Sequence, residues 1–316
     1  MGVRPTLTQR AVTASACQNG SVPHPTPLLV VAALLALAPY LVAAFFAAAA
    51  HGCARKLPAW AQVACPALLS IPYLLVSIDA GTFSWKWLAL YALFPAAMAS
   101  AARLIPRSER AVWPLFAVLL VLGLSVDLRW FESAWPPHLS IFNKVLLLDA
   151  GIYAFVALRP IEGAGFDLRL TRCDVSYGLR EFLFYLPIAL PIGLVLGFLH
   201  AHSLTFAQVK ALPGQFALAW IFTFFFIAVP EELFFRGWIQ NLLERRMGRT
   251  AALIVTAVLF GLSHFNKRAA HFNWRYVLLA AIAGIFYGRA WRRERRVGAS
   301  AVTHATVDAV WSLFLR

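Results

Sequence analysis

Charged residues are scarce in this sequence: they make up 13% of the 316 residues, whereas hydrophobic residues make up 61%. A soluble domain carries roughly 25% charged residues, so this composition argues against a soluble protein. Several apolar runs reach the roughly 20 residues that an α-helix needs to cross a bilayer, without the alternation typical of a membrane barrel. The predicted fold class is therefore all-α, a polytopic transmembrane helical bundle of about eight to ten spans.

Cysteine motifs and two common catalytic motifs are also missing. The four cysteines, Cys17, Cys53, Cys65 and Cys173, form no CxxC pair, so they indicate neither a zinc knuckle nor a redox motif. The sequence contains no HExxH motif of zinc peptidases and no GxSxG elbow of serine hydrolases. The net charge of +14 comes from basic residues in short loops between apolar runs, which indicates contact with anionic lipid and predicts no nucleic-acid partner.

Ten apolar runs bounded by charges or by Pro and Gly are predicted to be helical spans. They cover 28–50, 59–78, 83–101, 112–127, 141–158, 182–200, 216–240, 250–265, 275–291 and 298–315. The first run is too long for the core of a signal peptide, so it is predicted to be a retained span. Lys and Arg are more frequent in the alternate loops that contain Arg245 and Arg292, which predicts that these loops are cytoplasmic.

A polar stretch at 159–181 divides the apolar chain. The predicted organisation is a polar N-terminal segment (1–27), N-terminal transmembrane spans (28–158), a polar connecting loop (159–181) and a C-terminal transmembrane core (182–316). Chain length, richness in alanine and short loops are typical of a bacterial protein. The predicted location is integral and multi-pass in the bacterial inner (cell) membrane.

Two adjacent carboxylates, Glu231 and Glu232, follow a run of aromatic and aliphatic residues. Ionisable groups inside a span are costly unless they are paired or face water. Glu232 and Arg236 are spaced for an ion pair on one helix face. Glu231 is turned about 100° away and can face a cavity, and Pro230 can open the helix to water. The alternative is an interfacial charge cluster that ends a helix.

Two further spans carry polar pairs with helical spacing. Phe260 and His264 share one helix face, as do His304 and Asp308. Each pair alone has an ordinary structural explanation, because a histidine can pack in a core and a His–Asp pair can join two helices. Polar residues on three separate spans, however, can converge only in the interior of the bundle.

Together these residues supply the groups that peptide hydrolysis requires. A partly desolvated Glu231 can take a proton from water, and a neutral imidazole can orient that water. The other histidine and Asp308 can stabilise the oxyanion. The predicted catalytic residues are therefore Glu231, His264, His304 and Asp308. Glu231, His264 and His304 also form a possible zinc-binding set, which is the main mechanistic alternative.

The same residues form three motifs in order, EExxxR from Glu231, FxxxH from Phe260 and HxxxD from His304. In order and spacing they resemble the CPBP family of CAAX-protease and bacteriocin-processing membrane proteins, which includes Rce1-like prenyl-protein endopeptidases and the Abi proteins. The resemblance covers roughly residues 180–316. It implies a glutamic-type intramembrane endopeptidase, a hydrolase that cleaves a C-terminal or membrane-anchored segment of a client protein or peptide at the lipid bilayer.

The resemblance also implies a role for each motif residue. Glu231 activates the water with His264, and His304 and the residue at 308 form the oxyanion site. Glu232 and Arg236 hold the helix in place, and Phe260 supports the site. Position 308 is Asp where the family commonly has Asn, and a carboxyl group donates a hydrogen bond only when protonated.

The client class and the activity itself have alternatives. Processing of CAAX-type tails and processing of bacterial sorting signals both fit the resemblance. A non-catalytic immunity or scaffold protein, a transporter and a zinc-dependent membrane protease using the same residues are the other interpretations. No cofactor is predicted for the glutamic mechanism.

Overall fold

The computed structural model describes residues 26–136, 139–200, 206–267 and 271–315. These residues are mostly helical and include no β-strand, which confirms the predicted all-α class. The polar segment predicted at 1–27 lies outside the described residues up to position 25. The helices are α1 (Pro27–Lys56), α2 (Ala59–Asp79), α3 (Trp85–Leu104), α4 (Val112–Asp127), α5 (Ile141–Leu158), α6 (Arg172–Val195), α7 (206–240), α8 (Asn241–Leu262), α9 (Trp274–Glu294) and α10 (Val297–Phe314).

The ten predicted spans are all helical over most of their length. Among the described residues, 6 helical segments are long and apolar enough to cross a membrane. They are α1, α2, α3, α5, α6 and the continuous run Lys210–Leu262 that joins α7 to α8. Within that run Gly248 has φ of +78° and kinks the chain, because glycine adopts this conformation without a steric penalty.

Helix α6 begins earlier than the sequence analysis predicted. Thr171 caps its N-terminus, and the Asp174 side chain accepts a hydrogen bond from the Thr171 backbone N–H at 2.8 Å. This reciprocal capping box satisfies backbone donors that a helix start leaves unpaired. The last ten residues of the stretch predicted as a loop, 172–181, are therefore helical, and the connection between the two halves is shorter than predicted.

The helices form two groups that pack against each other. In the N-terminal half, α1 packs on α2 and α5, and α3 packs on α2. In the C-terminal half, α6 packs on α9 and α10, and α8 packs on α9. Helix α7 lies against α10, and its Phe225 carbonyl accepts a hydrogen bond from the Tyr40 hydroxyl of α1. This arrangement leaves a cavity between the two halves.

The connection between the halves is fixed at Gly165. Its carbonyl accepts a hydrogen bond from the backbone N–H of Val297 at 2.9 Å, at the start of α10. Gly165 has φ of +71°, and a Cβ added there would lie 1.7 Å from the carbonyl oxygen of Arg295. A side chain at this position is therefore excluded both by conformation and by contact.

Candidate active site

A cavity of about 560 Å³ lies between the two halves of the bundle. The C-terminal half contributes the polar residues of the three motifs, and the N-terminal half contributes Tyr40 of α1, Asp127 of α4 and Lys144 of α5. Much of the remaining wall is aromatic or aliphatic. A largely apolar cleft with a few convergent polar groups is typical of a ligand or substrate site.

Glu231 reaches this cavity from an irregular part of α7. The turn Val229–Glu232 lies between two π-helical segments, Phe224–Ala228 and Leu233–Gln240, and such segments occur frequently at functional sites. The Glu231 side chain is 27% exposed, and its Oε1 lies 3.8 Å from Nζ of Lys267. Within the described residues, Oε2 has no hydrogen-bond partner. Glu231 is thus the carboxylate of the motif that remains accessible from the cavity.

Glu232, in contrast, is completely buried and bound to protein groups. Its Oε1 accepts hydrogen bonds from Nη1 of Arg236 at 3.0 Å and from Nδ1 of His304 at 2.8 Å. Arg236 is also fully buried and donates from Nη2 to the Gly284 carbonyl of α9 at 3.0 Å. The predicted pair Glu232–Arg236 is therefore formed, and it joins α7 to α9 and α10.

His304 lies between the two adjacent glutamates. While Nδ1 donates to Glu232, Nε2 lies 4.0 Å from Oε2 of Glu231 and 3.6 Å from Oδ2 of Asp308. The ring stacks on Tyr287 with centroids 4.6 Å apart and an interplanar angle of 16°. These contacts fix the ring plane, so Nε2 is directed toward Glu231 and Asp308.

His264 follows the end of α8 and also lines the cavity. Its Nδ1 lies 2.8 Å from the Phe260 carbonyl, an acceptor, so Nδ1 carries the hydrogen. In the neutral ring this leaves Nε2 with a lone pair. The ring contacts Phe260 at 4.9 Å and Tyr276 at 4.7 Å between centroids. His264 therefore has one nitrogen available to accept a hydrogen bond from water.

Phe260 packs at the centre of this cluster. The ring is 2% exposed, and the Arg236 guanidinium lies over it at 4.5 Å from the centroid. It also meets the His304 ring edge-on at 5.7 Å. Phe260 therefore separates the buried Glu232–Arg236 pair from His264 and holds both histidines in position.

Lys267 and Tyr287 are site residues that the sequence analysis missed. Lys267 lies after the end of α8, and its ammonium group is close to Glu231. Lys267 follows His264 by three residues. This short spacing is the sequence feature that could have indicated that Lys267 lies near the site. Tyr287 lies in an aromatic and aliphatic stretch of α9, and nothing in the sequence separates it from ordinary core residues.

The zinc alternative requires three donor groups within reach of one metal ion. Across 26–136, 139–200, 206–267 and 271–315, no three His, Cys, Asp or Glu side chains are grouped so that they could hold a metal ion. The proposed zinc set of Glu231, His264 and His304 is therefore not assembled as a metal site in this structure. Activity after chelation remains the decisive measurement.

Residues 213–310 match the model of the family described as type II CAAX prenyl endopeptidase Rce1-like. The matched segment contains all three motifs, and it confirms the family resemblance on which the prediction was based. No curated protein and no solved structure matches the chain. Together with the six apolar helical segments, the family match supports an integral, multi-pass membrane endopeptidase of the CAAX type in general.

Proposed function

We propose that the protein is a glutamic-type membrane endopeptidase in which Glu231 activates a water molecule. The observation that carries this proposal is the difference between the two adjacent carboxylates. Glu232 is fully buried and bound by Arg236 and His304, whereas the Glu231 side chain is 27% exposed and lines the cavity. A carboxylate placed in this way can accept a proton from water at the moment of attack.

The proposed reaction begins with water held between Glu231 and His264. Glu231 takes one proton from the water while the water oxygen bonds to the scissile carbonyl carbon. The lone pair on Nε2 of His264 accepts a hydrogen bond from the water and orients it. Glu231 then gives the proton to the leaving nitrogen as the C–N bond breaks. The products are a carboxylic acid and an amine, so atoms and charge balance.

The proposed oxyanion site is formed by His304 and Asp308. His304 can donate from Nε2 when its ring is protonated, and the Glu232 carboxylate at 2.8 Å from Nδ1 favours that state. Nε2 lies 4.0 Å from Oε2 of Glu231, beyond direct hydrogen-bond distance, so a water or substrate atom beside the two groups can bridge them. Asp308 adds a second donor when it is protonated.

The proposed clients are membrane-anchored proteins or peptides cleaved near their C-terminus, in a CAAX-type tail or a bacterial sorting signal. The family match at 213–310 supports this class, and the largely apolar wall of the cavity suits a segment close to lipid. We place the protein in the bacterial cell membrane, with 182–316 as the catalytic core and 28–158 as accessory spans that complete the cavity wall.

The test compares the membrane and secreted proteins of the native host that expresses wild-type protein or the Glu231→Ala variant. We expect a defined set of proteins to keep C-terminal or membrane-proximal peptides in the variant that are removed in the wild type. Glu132→Gln is the matched control, because Glu132 also lines the cavity but pairs with Arg129 at 3.3 Å. Unchanged termini at equal protein levels would instead favour the immunity or scaffold interpretation.

A further inference from the structure

Among the described residues, three basic side chains line the active-site cavity, Arg129, Lys144 and Lys267. Arg129 pairs with Glu132 at 3.3 Å, and Lys267 lies 3.8 Å from Glu231. Lys144 has no such partner: within the described part of the chain it makes no hydrogen bond or ion pair. In the described part of the cavity wall, the charge of Lys144 is therefore not neutralised at contact distance.

Lys144 belongs to the cavity wall by its position on α5. Ile141, Val145 and Leu148 of the same helix also line the cavity. Residues three or four positions apart share one face of a helix, so Lys144 is part of a continuous face turned to the cavity. Its side chain is exposed. An ammonium group in such apolar surroundings is costly unless water or a counter-ion accompanies it.

Of these two lysines, Lys267 is the one that contacts a carboxylate of the cavity. Its Nζ lies 3.8 Å from Oε1 of Glu231, and Lys144 forms no ion pair with Glu231 or Asp127 among the described residues. Lys144 is thus the cation available to an anion that enters with the substrate.

In the proposed function, this anion is a carboxylate of the substrate. A CAAX-type segment ends a few residues after the scissile bond, so its free α-carboxylate enters the cavity together with that bond. Three extended residues span about 10 Å, which places the carboxylate away from the atoms around Glu231 and Lys267. Of the basic residues in the described part of the cavity wall, Lys144 is the one without a carboxylate at contact distance, so it is available to meet the carboxylate of the substrate.

We propose that Lys144 binds the free C-terminal α-carboxylate of the substrate and so restricts cleavage to segments that end shortly after the scissile bond. This inference rests on the proposed function and extends it to a specificity-determining residue in the N-terminal half. The contact involves the ground state and the transition state alike. Its loss therefore raises KM and leaves kcat nearly unchanged.

The test uses purified protein in detergent and two fluorescence-quenched peptides. Both carry a farnesylated cysteine followed by three apolar residues, and they differ only in a C-terminal carboxylate or carboxamide. We expect wild-type protein to cleave the carboxylate peptide with a kcat/KM about tenfold higher, the usual scale of one charge-assisted hydrogen bond. Lys144→Gln should cleave both peptides at the rate that wild-type protein shows for the carboxamide.

Two further variants make the result specific. Lys144→Arg keeps the charge and should retain the preference for the carboxylate. Lys86→Gln is the matched control, because Lys86 is exposed, stacks on Trp87 and lies outside the cavity; it should behave as wild type. Cleavage of the carboxamide by Lys144→Gln at the wild-type rate also shows that this variant is folded.

The possible failures are distinguishable. If wild-type protein cleaves both peptides equally, or if Lys144→Gln keeps the preference, the carboxylate site is wrong while the proposed endopeptidase stands. If Lys144→Gln is inactive on both peptides, the Lys144→Arg variant gives the answer. A preference of Lys144→Arg for the carboxylate peptide supports the carboxylate site, and loss of that preference contradicts it. If wild-type protein cleaves neither peptide, the CAAX-type form of the proposed function fails, and this inference fails with it.

Discussion

Nδ1 of His304 on α10 lies 2.8 Å from Oε1 of Glu232 on α7, so the second carboxylate of the EExxxR motif orients a histidine from another helix. The same oxygen accepts from Arg236 at 3.0 Å. The family resemblance implied that Glu232 holds its own helix in place. In the structure its carboxylate also fixes the direction of His304 Nε2 toward Glu231. One buried carboxylate thus connects the stability of the bundle to the geometry of the site.

Removing Arg236 should destabilise the protein strongly. Arg236→Met leaves the fully buried Glu232 without its arginine partner, and breaking a buried pair costs about 3–5 kcal/mol. The double variant Glu232→Gln/Arg236→Met should lose less stability than Arg236→Met alone, because no unpaired charge remains. Thermal unfolding in detergent measures both effects. Arg129→Met is the control, since its partly exposed pair with Glu132 contributes at most about 1 kcal/mol.

Asp308→Asn should keep most of the activity. An asparagine amide donates a hydrogen bond at every pH, whereas the carboxyl group of Asp308 donates only when protonated. We expect kcat/KM within about threefold of wild type for Asp308→Asn, and a loss of about 100-fold for Asp308→Leu, which removes one oxyanion donor. Steady-state peptide cleavage at several pH values provides the measurement. Equal loss in both variants would mean that the charge of Asp308, 3.6 Å from His304, is what the site requires.

Ser263→Ala should have little effect on cleavage. The Ser263 hydroxyl lies 3.1 Å from Nδ1 of His264, a contact that resembles a nucleophile and its base. However, the hydroxyl donates to the Phe260 carbonyl at 2.8 Å, and His264 Nδ1 donates to the same oxygen. We therefore expect Ser263→Ala to retain kcat within about threefold, the scale of one neutral hydrogen bond. A loss of three orders of magnitude would instead indicate serine chemistry.

Cleavage should survive removal of divalent metals. In the proposed mechanism Glu231 and His264 act on water directly, without a bound ion. Peptide cleavage is measured after dialysis against a chelator, with a known zinc peptidase treated in parallel as the positive control. Loss of cleavage that is restored by added zinc would replace the glutamic mechanism with the metal-dependent one.

Gly165→Ala should destabilise the contact between the two halves of the bundle. Its φ is +71°, and an added Cβ would meet the Arg295 carbonyl oxygen at 1.7 Å. Gly81→Ala is the matched control, because Gly81 has φ of +66° but no heavy atom within 4 Å of a new Cβ. The strain of a positive φ alone costs about 1–2 kcal/mol. Gly165→Ala should therefore lower the unfolding temperature much more than Gly81→Ala does. Equal decreases in the two variants would show that a local movement relieves the clash.

The sequence by itself determined the features that depend on one helix at a time. The apolar runs indicate a membrane environment. A membrane core offers no water, so the hydrogen-bonding groups of the backbone must be paired within each helix. Helical periodicity placed Glu232 beside Arg236 and turned Glu231 away from it, and the structure contains both features. The three motifs also led to the family that residues 213–310 match. The catalytic roles of Glu231, His264, His304 and Asp308 remain predictions for the experiments above.

Tertiary structure alone decided which helix faces meet. His304 and Glu232 are 72 residues apart in sequence, and only the packing of α10 against α7 brings them into contact. The approach of Lys267 to Glu231 and the position of Lys144 in the same cavity depend on packing in the same way. A helical period defines the faces of one helix, but the pairing of faces follows from shape complementarity and from the loops between helices. A short window of sequence contains no information about these long-range contacts.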